Sequence, residues 1–416
     1  MSAYLDNIST TPIDPMVRDL VFQVMAKPHN PHVSYHPFGA KGAEIIEVAR
    51  GQVAAAVGAK AGEVFWTPSA TAANNLAVQG IAFGRQKKGR HIVTTAIEHP
   101  SVLEPCRLLK AAGFELDYVA PDRFGVVSAK SVLNAVRDDT ILVSVMAVNN
   151  VIGSIQPVQE IAAGLGKRGP LLHCDAVQAA GKIPLDFLAD VDLITLSSHK
   201  VYGPLGAAAL VVRSKRGILP RPIVVGGGQE KGIWAGTVNV PAVAGFGLAM
   251  ELASANLEGE SSKISALASE LERGIKEALP GSFRNGRAGT RVDHIVSMTV
   301  QGVSGETLIA ALGRAGVAAS VGSACSGTGS GAGAGSGSGS GTGAGAGSGT
   351  GSGTGSGTGS GTGTGPAQPS YALLAIGLTR QQARSTLRFG LGRFTTLDDI
   401  NAALHVINNL PFISKR

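Results

Sequence analysis

Five times between residues 91 and 212 the chain passes through a short run rich in Val, Ile and Leu: His91–Ile97, Ile141–Val148, Leu171–Cys174, Leu193–Leu196 and Ala207–Val212. A strand with one wet face alternates apolar and polar residues, whereas an unbroken Val/Ile/Leu run marks a strand covered on both faces. Amphipathic helical segments accompany these runs, at Gly42–Val57, Thr71–Phe83, Ser101–Ala112 and, more briefly, Gln159–Gly166. Strand–helix alternation of this kind predicts a mainly parallel α/β sheet, because parallel neighbours need a crossover helix to carry the chain back.

After about residue 250 the texture changes. A long helical pattern over Asn239–Leu279 leads into a second region holding Val292–Val300, Glu306–Ala315 and Gln381–Ile407, which reads as a smaller α+β unit. The division expected is a large unit over 15–250 and a smaller one built from 1–14 and 251–416. With 416 residues, 44% of them hydrophobic and 16% charged, the chain can bury more than one core. No apolar run approaches the roughly 18–20 residues of a membrane span. The opening MSAYLDNIST has neither a basic nor an apolar leader region, so no signal peptide is expected. Three cysteines, Cys106, Cys174 and Cys325, lack metal-ligand spacing and suit a reducing cytoplasm. The net charge of +7 is spread along the chain with few aromatics interleaved, so direct nucleic-acid binding is not expected.

Cys325 has a peculiar neighbour. From Ser326 to Gly365 the chain contains only Gly, Ser, Ala and Thr, with Gly at every odd position. Such a tract has no large side chain to bury, so ordering entropy favours disorder in an isolated chain. Placed beside a lone thiol, it suggests a nucleophile on a long tether; a buried cysteine beside a repeat expansion fits equally well at this point.

The polar residues gather at strand ends. Ser197-Ser-His-Lys200 follows an apolar strand, and a lysine at the carboxyl end of a buried strand faces a crevice in open α/β sheets. Partial desolvation there suits Schiff-base chemistry, although a surface lysine also fits. His173-Cys-Asp175 ends another run, and Asp175 could pair with a pyridinium nitrogen. Thr67-Pro-Ser-Ala-Thr71 precedes a helix, where Thr71 through its hydroxyl and Ala70 through its N–H could hold a phosphate; an ordinary N-cap threonine is the alternative. His99 follows a third strand and could stack on a planar ring or serve the fold. His29, His32 and His36 are loosely spaced, and we read no metal site there.

Together these pieces resemble the cysteine desulfurases, pyridoxal-phosphate enzymes of aminotransferase class V and fold type I. The resemblance spans most of the chain outside the tract: Tyr4-Leu-Asp-Asn7, Asn30-Pro31 with His36, Ala70-Thr71 with Asn74-Asn75, Glu98-His99, Asn149-Asn150, Asp175 with Gln178, Ser197 with His199-Lys200, Gly236-Thr237, Gly322-Ser-Ala-Cys325 and Leu387-Arg-Phe389. It implies a large domain with a mainly parallel central sheet plus a smaller α+β domain that carries the cysteine loop. It further implies that Lys200 binds pyridoxal 5'-phosphate as a Schiff base, Asp175 pairs with the pyridine nitrogen and His99 stacks on the ring. Gln178 and Asn150 would bond near the phenolic oxygen. Thr71, Ala70, Ser197 and His199 would hold the phosphate, with Thr237 reaching in from the other subunit of a homodimer. Arg388, with Asn150, would bind the substrate carboxylate. Cys325 would take sulfur from L-cysteine as a persulfide and pass it to an acceptor protein, for iron–sulfur clusters or another thio-cofactor or tRNA. A free thiol is only a few per cent ionised at neutral pH, so Cys325 needs a proton acceptor such as His99.

The chain departs from the family pattern at Pro68-Ser-Ala-Thr-Ala72, at Val151 and at Trp234, which leaves substrate preference open. Pro369-Ser-Tyr371 follows Cys325 by forty-four residues rather than about ten, so the tract reads as an insertion in the catalytic loop. The rival readings are a related carbon–sulfur or selenocysteine lyase, and a non-catalytic assembly module.

Overall fold

The computed structural model describes residues 2–33, 35–322 and 368–410. Cys325 and the tract 326–365, with the expectation of disorder attached to it, lie outside the described residues.

The chain opens with a short strand, β1 (Ala3–Tyr4), and two helices, α1 (Pro15–Met25) and α2 (Pro37–Ala56). A seven-stranded sheet follows, made of β2 (Val64–Thr67), β3 (His91–Thr95), β4 (Glu115–Val119), β5 (Thr140–Ser144), β6 (Leu171–Asp175), β7 (Leu193–Ser197) and β8 (Ala208–Val212). Between its strands run α3 (Ala70–Arg85), α4 (Pro100–Ala111), α5 (Ala129–Asn134) and α6 (Val158–Leu165). The spatial order is β2-β8-β7-β6-β5-β3-β4. The five strands from β4 to β7 are parallel, and β8 and β2 pair antiparallel at one edge. The expected mainly parallel sheet is present.

Its strands divide their side chains between two cores. Val93, Val143, Leu172, Ile194 and Val211 join the cluster under α1, α2 and the helical segment Val240–Ala255. Their neighbours Ile92, Leu142, Leu171, Leu193 and Leu210 join the cluster under α3 and α4. Each such side chain contributes about 1.5–3 kcal/mol on leaving water, which is why the runs carry no polar alternation. Strands β2 and β4 escaped the sequence reading for different reasons. Phe65-Trp66 sits in a run of only four residues, while β4 alternates Glu115 and Asp117 with apolar residues as a wetted edge strand does.

The helical pattern over Asn239–Leu279 is two helices, α7 (Val240–Ala255) and α8 (Leu257–Ala278), bent by 73° at Asn256. Helix α7 is buried around most of its circumference, whereas α8 is buried on one face only. Asn256 makes the corner: its N–H and its Nδ2–H both donate to the Leu252 carbonyl, and its own carbonyl accepts from Glu260. No single described helix is long and apolar enough to cross a membrane.

A four-stranded antiparallel sheet completes the fold: β9 (Phe283–Arg284), β10 (Ile295–Thr299), β12 (Ser320–Val321) and β13 (Thr386–Gly390), in the order β12-β13-β10-β9. Strand β11 (Val317–Ala318) pairs in parallel with β1, and α9 (Gly305–Arg314), α10 (Tyr371–Ala375), α11 (Arg380–Arg384) and α12 (Leu397–Asn408) surround these strands. Leu5, Leu271, Val296, Leu387 and Ile400 form part of its separate core.

Candidate active site

The carboxyl ends of β3, β5, β6 and β7 converge on one open cleft. Each delivers a polar residue there because an apolar strand must end where the crevice begins: His99 after β3, Asn150 after β5, Asp175 at the tip of β6, and Ser197, His199 and Lys200 at the end of β7. Ala70 and Thr71 line the same cleft from the N-terminus of α3, whose Ser69 caps the Ala72 N–H at 3.2 Å. Gln178, in the turn after β6, completes the wall.

Lys200 rests on the N-terminal segment. Its Nζ donates to the Ile8 carbonyl and, at 2.7 Å, to that of Ser9. Two residues on, Tyr202 adopts φ +67°, a left-handed conformation that costs a residue with a Cβ about 1–3 kcal/mol. Three contacts hold it: its carbonyl accepts from Asp14, its N–H donates to Thr11 Oγ1, and its hydroxyl accepts from the Arg393 N–H. His199 is pushed down to about 4 by burial and by the charges of Lys200 and Lys182, so its ring is neutral at physiological pH.

Asp175 is buried, with both carboxylate oxygens engaged: Oδ1 accepts from Val177 N–H at 3.0 Å and Oδ2 from Asn74 Nδ2 at 2.7 Å. The same Asn74 amide donates to Ser101 Oγ at 2.8 Å, and Ser101 Oγ lies 2.8 Å from His99 Nδ1. His99 caps α4, accepting the Ser101 backbone N–H at Nδ1 over 3.1 Å. Just before it, Glu98 is fully buried. Its Oε1 accepts from Thr95 Oγ1 and Met146 N–H, both at 2.8 Å, and burial raises its carboxyl to about 8. The hydroxyl of Tyr371 donates to the Glu98 carbonyl, which docks α10 beside His99, its Leu373 sharing one apolar cluster with Ile97 and Val151.

Two expected residues stand apart from this cleft. Thr237 is exposed in a second cleft, with Trp66 and Trp234. Arg388 is fully buried behind Asn150, donating to its carbonyl at 3.1 Å. Cys325 lies outside the described residues. The other two cysteines are buried among apolar residues; burial pushes the Cys106 thiol up to about 12 and holds that of Cys174 well above its ordinary range, so neither is a nucleophile. His36 caps α2, its Nδ1 accepting from Gly39, and among the described residues no group of His, Cys, Asp and Glu is placed to hold a metal.

Several residues entered no sequence-based role. Asn74 lies one turn after Thr71 on α3, so helical spacing alone could have found it. Ser101 is legible only once His99 is seen as a helix cap. Lys182 carried no signal: it is buried with Nζ 3.4 Å from the Lys200 carbonyl, and burial together with the charge of Lys200 pulls it down to about 7.

Residues 3–333 match the family model described as aminotransferase class-V. The chain is 37% identical over 410 residues to the cysteine desulfurase IscS of Klebsiella pneumoniae, covering 98% of this chain and 92% of that one. Among solved structures it resembles a NifS-like protein with a TM-score of 0.83 and 30% identity, over the full length of both. It also resembles SspA in complex with cysteine, with a TM-score of 0.74 and 29% identity over 95% of this chain and all of that one. With this similarity running nearly from end to end, and with the strand-end lysine, aspartate and histidine meeting in one cleft, the chain belongs to the class V aminotransferase family and, within it, to the cysteine desulfurases.

Proposed function

We propose that this protein removes sulfur from L-cysteine, with pyridoxal 5'-phosphate bound in the cleft at the strand ends, to give L-alanine and a persulfide on Cys325. The observation that carries the reading is the convergence of Lys200, Asp175, Gln178, His99 and Thr71 on one cleft. The residues present suit that cofactor. Gln178 Oε1 is buried with no hydrogen-bond partner among the described residues, an acceptor left for a ligand, and its Nε2 is tied to the Ile8 carbonyl. Asp175 offers a carboxylate anchored by two N–H donors, and the N-terminus of α3 with Thr71, Ser197 and the neutral His199 offers donors for a phosphate.

When bound, the cofactor supplies an electron sink for the substrate's α-carbon. The protein's part is to orient and to shield. Lys200 would attach the cofactor, Asp175 would face its ring nitrogen, and Gln178 and Asn150 would meet its phenolic oxygen. His99 would lie along the ring. Asn150, with Arg388 bonded to its carbonyl from behind, would orient the substrate carboxylate. The thiolate of Cys325 attacks the substrate sulfur; a sulfur–sulfur bond forms, the substrate carbon–sulfur bond breaks, and the carbon takes the electron pair and a proton. Two thiols thus become alanine and one persulfide, whose outer sulfur passes to a thiol of an acceptor protein.

The same reading takes the molecule as a cytoplasmic homodimer in which Thr237 serves the partner's cleft; its exposure away from this chain's own cleft supports that. One hydrophobic cluster drawn mainly from 15–250, joined by Ile8, Ala253, Val292 and Ile295, and a second drawn from 1–14 and 251–416 support treating 15–250 as the cofactor-binding unit and 1–14 with 251–416 as the smaller one. The proposed destination of the sulfur is an iron–sulfur cluster or another thio-cofactor or tRNA. The test is a side-by-side assay of alanine and sulfide from L-cysteine, with wild type and Cys325→Ala. Near-complete loss of alanine in the variant is expected; full alanine release without Cys325 would overturn the persulfide route.

A further inference from the structure

A hydrogen-bonded chain that begins on a carboxylate has only one possible direction. Asp175 Oδ2 can only accept, so the Asn74 group 2.7 Å from it must be the amide Nδ2 and not Oδ1. Asn74 spends its other N–H on Ser101 Oγ, 2.8 Å away, and its own Oδ1 is left buried with no partner among the described residues. Ser101 Oγ, already an acceptor, has one hydrogen to give, and His99 Nδ1 lies 2.8 Å away. The Ser101 backbone N–H points at the same nitrogen from 3.1 Å. Nδ1 therefore faces two donors, and all of Asp175, Asn74 and Ser101 are at least nine-tenths buried, where water cannot rearrange the order.

We propose that Asn74 and Ser101 are positioning residues that transmit the polarity of Asp175 to His99 and hold its neutral ring as the Nε2–H tautomer. The inference builds on the reading of His99 and Asp175 as cofactor neighbours. It redirects one expectation. A neutral ring with its proton on Nε2 has no lone pair there, so it serves the cleft as a hydrogen-bond donor and does not take the thiol proton of Cys325. The unpartnered Asn74 Oδ1 makes sense in these terms: a buried polar atom goes unsatisfied so that both amide hydrogens keep their direction.

The experiment is nitrogen NMR of full-length holoprotein labelled with nitrogen-15 at histidine, near pH 8, with His99→Gln identifying the ring's signals. Wild type should show an unprotonated Nδ1 and a protonated Nε2. Asn74→Ala frees the Ser101 hydroxyl to accept, and the Nδ1–H fraction should rise by a factor of about 2–10, the range for one lost hydrogen bond. Ser101→Thr, which keeps the hydroxyl, should match wild type. An Nδ1–H ring in wild type would overturn the proposal, and so would an unchanged tautomer ratio in Asn74→Ala; if that variant does not fold, the wild-type spectrum decides alone. The tautomer is read from the ring nitrogens themselves, so it can fail while cysteine desulfuration stands, and desulfuration can fail while it holds.

Discussion

Arg388, on the small sheet, donates from Nη1 to the backbone carbonyl of Asn150, at the end of a strand of the large one, across 3.1 Å. The same guanidinium reaches Ser320 Oγ through Nε at 3.1 Å, and Ser9 Oγ and Asp6 Oδ1 through Nη2 at 3.2 and 3.4 Å. One planar fork thus ties together the small sheet, the end of β5 and the segment on which Lys200 rests. Only a guanidinium can do this, because its donors diverge in a fixed plane.

Arg388→Lys keeps the charge beside Asp6 but abandons most of the fork. The expected result is a loss of about 1–3 kcal/mol of stability and a KM for L-cysteine raised about tenfold, the equivalent of one charge-assisted hydrogen bond. Denaturant unfolding and steady-state alanine release check it; wild-type values in both would refute the role assigned to the fork.

Gly390 lies where β13 crosses the N-terminal segment. Its carbonyl accepts from Asn7 N–H at 3.1 Å and Asn7 Nδ2 at 2.8 Å, and an added Cβ would sit 2.7 Å from the backbone nitrogens of both Asn7 and Ile8. Backbone cannot yield as a side-chain tip can, so Gly390→Ala should push Ile8 and Ser9 away from Lys200. A folded protein with a lowered thermal midpoint and reduced retention of cofactor absorbance is expected. Unaltered retention would show that Ile8 and Ser9 do not position the lysine.

Glu98 has its carboxyl raised from the ordinary range to about 8 by burial. Between the unfolded value near 4.5 and about 8 the native state holds a proton that the unfolded state has lost. Its contribution is therefore full below pH 4.5 and is lost as pH rises through 8. Glu98→Gln mimics the neutral acid and preserves an acceptor for Thr95 and Met146. It should match wild type near pH 5 and exceed it by a few kcal/mol at pH 9, as read by denaturant midpoints across pH. Parallel pH profiles for the two proteins would refute the burial argument.

Lys182 works in the opposite sense. Burial lowers it from 10.5 to about 7, so between those values the unfolded state binds a proton that the native state refuses. Its contribution is full above pH 10.5 and is lost as pH falls to about 7. Lys182→Met should flatten stability over this window, gaining most at pH 7. A variant whose profile keeps the wild-type slope between pH 7 and 10 would contradict it.

The positions of Lys200 and Asp175 were legible because each ends an apolar run, and an apolar run in a parallel sheet can only end at its crevice. Thr71 and His99 were legible as polar residues opening helices after strands. Ser101 and Lys182 were not, and Asn74 was legible only as a neighbour of Thr71 on one helix. Their importance lies in what they touch: Asn74 meets a carboxylate 101 positions away, and Lys182 the carbonyl of Lys200. The 73° corner at Asn256 was hidden because the apolar pattern continues across it; only packing against α1 and α2 on one side and the small sheet on the other separates a helix buried nearly all round from one buried on a single face.

By itself, then, the sequence determined the sheet class, the strand ends that bear chemistry, and the identity of a cysteine placed ahead of a glycine-rich tract. Those follow from periodicity and composition, which are local. Tertiary structure decided the rest: that Arg388 spans two sheets, that Lys200 leans on Ile8 and Ser9, and that Asp175 dictates the face His99 shows to the cleft. These are contacts between residues far apart in the chain, and the direction of a buried hydrogen bond is fixed only when both of its ends are in place.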